Sequence, residues 1–553
     1  MQLPEGSAIL IIGWGFVVLI LWNLYHFSRA LRKTTFLALL TLASLGLLGA
    51  MAFLHVHQRP SLPGNRLGLL IFPFVEETDG PVAGEPVFRV EAQGLAIADM
   101  IGEHMRQMAP PPFYIIPTDA LFEVANRDSL SHLDYALRFA ARAALPMIGF
   151  GTYRAKRNSQ TNQHESWQAE FQLFDLRKLK AGNKPAGVHL KLPDQFDSLH
   201  GMAAAHAHAI FQVWPGNAQT ATTTIWQDHT PVDLLQRYYS ARLTLGMNQP
   251  ESALRQARAL WRADSNSSRF VNLYARALMA HLQHKAASKM EWQDSLHVVL
   301  PFVKNKATAD ARNGESARLL GEIYIRLEKW REAEHALLQA RRRDSTDSKI
   351  YVLLAQLHVS RLKPLGFRTE LDLYLQALLL NPLDFDAGLA AADYLFLENR
   401  EQEAITLLEK MRSLSPNHLG VLMSLGRIYI VKGETLKIFE VHERVLKLSP
   451  NNADAYYNLG IAYYNREDFE NAIKLFERAI ALNNHIDARM YLAFIHERQG
   501  KIDKAIAYLR ERIQLSRGDD DKFADEARKH LYEILLARGE IPPSLRPDSL
   551  RQP

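Results

Sequence analysis

The sequence predicts a mainly α protein in three parts: two transmembrane helices, an α+β domain, and an α-solenoid of about eight helix pairs closed by a capping helix. Three observations carry this. Two uncharged apolar runs open the chain, residues 66–215 switch between strand and helix periodicity, and a 34-residue step recurs from residue 230 onward. The composition is that of folded domains. Over 553 residues, 47% are hydrophobic and 23% charged, which excludes wholesale disorder, collagen and a simple coiled coil. The absence of cysteine excludes a disulfide scaffold, a thiolate metal site and a cysteine nucleophile. Lys and Arg number 65 against 60 Asp and Glu, a net charge of +5 with no long basic block, so no nucleic-acid partner is expected.

Residues 1–60 read as a membrane anchor with a tether. Gly6 to Tyr25 and Thr34 to Leu54 carry no charged residue, and each is long enough as a helix to cross ~30 Å of hydrocarbon. Arg29, Arg32 and Lys33 lie in the joint between them, whereas Glu5 is the one charge ahead of the first run. The positive-inside bias then places the joint in the cytoplasm and both chain ends opposite. For a bacterial protein the expectation is two inner-membrane spans across residues 6–54, with the remaining domains in the periplasm. The stretch 55–65, with Pro60, Pro63 and Gly64, has the composition of a short tether.

From residue 66 the period changes. Arg66 to Phe74 reads as a buried strand, Val90 to Met108 as an amphipathic helix, Pro112 to Pro117 as a second strand, and Ser131 to Ala144 again as a helix. Pro146 to Arg157 and Glu165 to Arg177 alternate as strands around a polar loop. Gly187 to Leu192 is shorter, and Asp194 to Trp214 closes the unit as an alanine-rich helix. This order defines an α+β layer over 66–215. The Ile71-Phe-Pro-Phe74 strand end, Gly149-Phe-Gly-Thr-Tyr153 and Gln172-Leu-Phe-Asp-Leu176, in this order of elements, resemble the amino-terminal domain of the TolB type. That resemblance implies a binding or docking module and no catalytic activity.

Residues 230–540 repeat. Pro382, Pro416 and Pro450 are 34 residues apart, as are Gly426 and Gly460. The copy beginning at Ala453 sets Tyr456, Leu459, Gly460 and Tyr463 on a first helix and Ala472, Phe476 and Ala479 on a second. These positions resemble the tetratricopeptide (TPR) repeat. The small residues permit a close crossing of paired helices, and the aromatic ones fill the gaps between neighbouring pairs. Weaker copies precede and follow it, with an insertion near Pro364 and Gly366, and Lys522 to Gly539 reads as the capping helix. Residues 541–553 read as a disordered tail.

Little chemistry is encoded. His200, His206 and His208 lack ligand spacing on a helix, and Gly149-Phe-Gly151 is no phosphate loop but is expected to serve a strand packed closely on a helix. Asp519, Asp520 and Asp521 stand where carboxylates cap a helix start. No cofactor, metal site or enzymatic activity is predicted. What the array can do is bind. Repeat positions 5, 9 and 12 hold Tyr457, Ile461 and Tyr464, then Met490 and Phe494, with Met423 and Arg427 one copy earlier. The TPR resemblance implies that these line one concave strip for a protein partner, and the array lacks the Lys-and-Asn clamp for a free carboxyl terminus. The function expected is therefore a membrane-anchored scaffold that organises a complex in the cell envelope. The alternative is a sensor whose α+β domain binds a small ligand.

Overall fold

A computed structural model describes residues 67–79, 86–107, 113–118, 120–121, 128–157, 164–178, 187–190, 199–213, 231–309, 314–357, 367–518 and 521–540. The chain divides into two compact units, Met1–Pro63 and Gly64–Pro553, and every described residue belongs to the second. One expectation is corrected at once. No helix among the described residues is long and apolar enough to cross a membrane. The longest, Lys289–Ala309, carries Lys289, Glu291, Asp294, Lys304 and Lys306 and buries only one face against its neighbours. The two transmembrane helices, and the inner-membrane, periplasmic location built on them, are accordingly struck from the fold class; residues 6–54, where the apolar runs lie, are outside the described residues, as is the tail.

The α+β part is a mixed seven-stranded sheet. β1 (Leu67–Ile71) runs parallel to both β4 (Phe113–Ile116) and β5 (Met147–Arg157), and β5 also pairs in parallel with β2 (Val75–Asp79) further along the same edge. β3 (Pro86–Val90) is antiparallel to β2, β6 (His164–Asp175) to β5, and β7 (Val188–His189) to β6. The order is β3-β2-β5-β1-β4, with β6 and β7 off that path. Helices α1 (Ala92–Gln107), α2 (Leu133–Ala143) and α3 (Leu199–Val213) cover it. Leu69, Leu70, Ile71, Phe72 and Phe74 are fully buried, which explains the uninterrupted apolar run of β1. The expected elements appear within a few residues of their predicted limits. The β2–β3 hairpin is additional.

Gly149 and Gly151 do serve close packing, but against aromatic rings rather than a helix. A Cβ on Gly149 would stand 2.3 Å from the Phe171 ring, and one on Gly151 would stand 2.5 Å from Phe74. The Phe74 and Phe171 rings stack at 5.4 Å, and His206 presents its edge to both. His206 is thus a core side chain, its Nδ1 2.6 Å from the Met202 carbonyl, and burial lowers its pKa to about 4. Among the described residues no group of three His, Asp or Glu side chains is arranged to hold a metal ion.

The remainder is a run of antiparallel helix pairs. They are α4 (Val232–Gly246) with α5 (Pro250–Ala263), α6 (Ser268–His284) with α7 (Lys289–Ala309), α8 (Gly314–Arg326) with α9 (Trp330–Arg343), and α10 (Ser348–Leu354) with α11 (Glu370–Leu380). Then come α12 (Phe385–Leu397) with α13 (Glu401–Leu414), α14 (Leu419–Val431) with α15 (Thr435–Leu448), α16 (Ala453–Asn465) with α17 (Phe469–Asn483), and α18 (Ala488–Arg498) with α19 (Ile502–Gln514). α20 (Lys522–Ala537) ends the array.

The 34-residue step fixes local structure at each helix boundary. Asp384, His418 and Asn452 occupy successive N-caps, their side chains accepting from the amides of Ala387, Val421 and Ala455. Asn399, Gly433 and Glu467 occupy the left-handed turn joining first to second helices, with φ of 60°, 68° and 61°. Asn381, Ser415 and Ser449 end the second helices, and the prolines that follow cannot extend them. Within a pair the small residue meets a large one: a Cβ on Gly460 would lie 2.6 Å from the Phe476 ring, and on Gly321 2.6 Å from Leu337.

Candidate functional site

The candidate site is built on the first helices of the last pairs and on the capping helix. Tyr457 and Tyr464 stand two turns apart on α16, and both are half-buried. Tyr457 stacks on His485 at 4.2 Å and meets Tyr491 at 5.8 Å; Tyr464 meets the same Tyr491 edge-on at 5.3 Å. Tyr491 in turn stacks on Phe476 at 5.1 Å and touches Phe494 at 6.4 Å, and Phe494 packs against His530 of α20 at 5.2 Å. A continuous path of half-exposed rings therefore crosses α16, α18 and α20. Burial raises the phenol pKa of Tyr457 and of Tyr491, so both rings stay neutral hydrogen-bonding groups at physiological pH.

The other residues that repeat position selects fall elsewhere. Ile461 and Met490 are buried, 6% and 3% exposed. Ile461 packs with Ala488, Leu492 and Ile495 of the next pair, and Met490 with Ala527 and Ile534 of the capping helix. Met423 is half-buried on α14. Arg427 is exposed and pairs with Asp393 of the preceding first helix, its guanidinium 5.8 Å from the Phe396 ring centre. Tyr491, the hub that joins Tyr457, Tyr464 and Phe494, escapes the repeat-position rule. It follows position 5 by one residue, and the stacking that gives it its place depends on Phe476 from the second helix.

A buried ionic cluster anchors the end of the strip. Arg512, fully buried on α19, donates two bonds to Asp521, at 2.8 and 3.0 Å, and lies 3.0 Å from Asp487. Asp521 also accepts from the amides of Ala524 and Arg517, so it caps α20, in keeping with its place in the sequence. The Arg512 guanidinium and these amides hold its carboxyl well below the usual carboxylate range. Asp519 and Asp520 lie outside the described residues.

The first helices at the other end of the array are engaged by the chain itself. Asp99 of α1 accepts from Arg242 at 2.6 Å and from Tyr239 at 3.1 Å, both on α4, and Glu103 pairs with Arg269 of α6 at 3.0 Å. Tyr239 is fully buried there. Tyr114 of β4 donates to the Leu379 carbonyl and Arg142 of α2 to the Ser413 carbonyl, each at 3.0 Å.

Antiparallel pairs in 34-residue register define a helical-repeat protein. The family comparisons agree on which repeat. Tetratricopeptide-repeat models match residues 453–485 and 487–514, and a TPR repeat model matches 439–466. The chain carries tetratricopeptide repeats. Among curated proteins, none matches the chain significantly. Among solved structures, the chain is similar to the APC/C hetero-tetramer Cut9-Hcn1, with 16% identity and a TM-score of 0.41, over 55% of this chain and 57% of that one. The alignment thus spans little more than half of that neighbour. Two structures of MamA are each 22% identical, with TM-scores of 0.25 and 0.27, covering 28% and 31% of this chain and 91% and 92% of theirs. The TolB-type resemblance of residues 66–215 finds no support in these comparisons.

Proposed function

We propose that the array is a protein-binding scaffold whose partner site is the aromatic strip of its carboxyl end, organised around Tyr457, Tyr464 and Phe494 with Tyr491 between them. The ring path across α16, α18 and α20 carries this reading. Half-exposed aromatic side chains of fixed geometry are the groups that lose least conformational freedom on binding and contribute most affinity. Tetratricopeptide repeats in this part of the chain support it, as does the engagement of the opposite end by the α+β domain. The fitting partner is an amphipathic helix or extended segment with apolar anchors. Arg427 and Met423, one repeat before the strip on α14, would add specificity for a partner long enough to reach them.

The test is recovery of a stoichiometric protein by the full chain, compared with the Tyr457→Ala, Tyr464→Ala, Phe494→Ala variant. Both must show the same helical content by circular dichroism. Loss of the partner by more than about tenfold with the variant is the expected result. Equal recovery with both chains would sink the strip as the binding surface.

A further inference from the structure

The contacts between the α+β domain and the array are of two unlike kinds. At α4 and α6 the contact is buried and charge-paired. Arg242 and Asp99 are only 9% and 17% exposed, Tyr238 and Tyr239 lie in the same packing, and breaking the pair would leave a charge under-compensated in a dry site. At α11 and α13, where α2 also packs on α13, the hydrogen bonds across the contact go to main-chain carbonyls, one from the buried Tyr114 and one from Arg142. Leu379 and Ser413 lie in the last turns of their helices, where a carbonyl has no intrahelical donor and returns to water at little cost. Arg142 is itself exposed, so its guanidinium also trades one acceptor for water. The first attachment falls on the first and second helix pairs and the other on the fourth and fifth.

We propose that the α+β domain is a strap: it is hinged where α1 packs on α4 and latched where Tyr114 and Arg142 grip the ends of α11 and α13. Opening the latch leaves the hinge intact and frees the helix ends of the fourth and fifth pairs. The strap holds the amino-terminal half of the array at one curvature while closed. The next pair, α14 with α15, is then the first repeat beyond its reach.

The chain has no cysteine, which makes the test direct. Spin labels on Arg138→Cys of α2 and Thr406→Cys of α13, both exposed positions, report the latch distance by pulsed electron resonance. The unmodified latch should give one narrow distribution. Tyr114→Phe, which removes a single hydroxyl, should raise the long-distance population about fivefold, and Tyr114→Phe with Arg142→Ala roughly 25-fold, with cooperative melting unchanged. Asp99→Asn with Glu103→Gln should instead lower the melting temperature through the hinge. Identical distributions in the latch variants would overturn the strap. So would opening in the Asp99/Glu103 variant at unchanged stability, because hinge and latch would then be indistinguishable.

Discussion

His442 offers the sharpest test of how the repeats are packed. It stands on α15 at the position held by Leu408 one repeat earlier and by Phe476 one repeat later. Its ring is fully buried and crowds the place where a Cβ on Gly426 would be, and neither ring nitrogen has a hydrogen-bond partner among the described residues. Burial lowers its pKa from 6.5 to about 4. The sign follows from the protons bound. The unfolded chain takes up a proton near pH 6.5 while the folded ring stays neutral, so stability is fully present above that value, declines as pH falls and flattens below 4. Between about pH 8 and pH 5 this residue alone costs about 2 kcal/mol, roughly a 30-fold change in local opening. His442→Phe reproduces the pairing of Phe476 with Gly460 in the next repeat. It should abolish that component and add about 1–3 kcal/mol near pH 7.5 by removing two unpaired nitrogens. Hydrogen exchange of the α14 and α15 amides, corrected for intrinsic rates, reads the effect locally in a protein too large for one two-state transition. If the variant lost as much protection between about pH 7.5 and pH 5 as the parent, the packing argument would be refuted.

Three further outcomes follow from particular residues. Glu467 holds a left-handed φ of 61° where Gly433 stands one repeat earlier, so Glu467→Gly should stabilise the α16–α17 turn by about 1 kcal/mol, seen as slower exchange there. Asp521→Asn removes the charge facing buried Arg512 while Asp487 remains; α20 should open ahead of the rest of the array, measured as a selective loss of protection, about tenfold or more, over Lys522–Ala537. Gly151→Ala would drive a methyl group to 2.5 Å from the Phe74 ring, and a loss of about 1–3 kcal/mol in denaturant unfolding is expected.

The repeat architecture is legible in the sequence because its signals are local. A cap, a left-handed turn and a proline recur every 34 residues, and each acts on its own helix end. The α+β elements are legible where apolar periodicity is unbroken. The β2–β3 hairpin is not, because Val75-Glu-Glu-Thr-Asp79 is acidic and lacks an apolar alternation; its pairing to β5 is supplied by tertiary contact. The same limit governs the site. Tyr457, Tyr464 and Phe494 follow from repeat position, whereas the burial of Ile461 and Met490 depends on how closely the following helices approach. The Arg512 cluster joins residues from three separate helix ends, which no spacing rule connects. The apolar character of residues 6–54 is plain, but hydrophobicity alone does not establish a spanning helix.

The latch also sets an order of events during synthesis. Arg142 and the Ser413 carbonyl are 271 residues apart in the chain. A ribosome adding about 5–20 residues per second delivers the second group roughly 15–55 s after the first. The amino-terminal domain therefore spends its first tens of seconds with Asp99, Tyr114 and Arg142 in water, while the repeats, built from near neighbours in sequence, form one after another as they emerge. Closure is a late step, made once the fifth helix pair has emerged, on a domain already waiting for it.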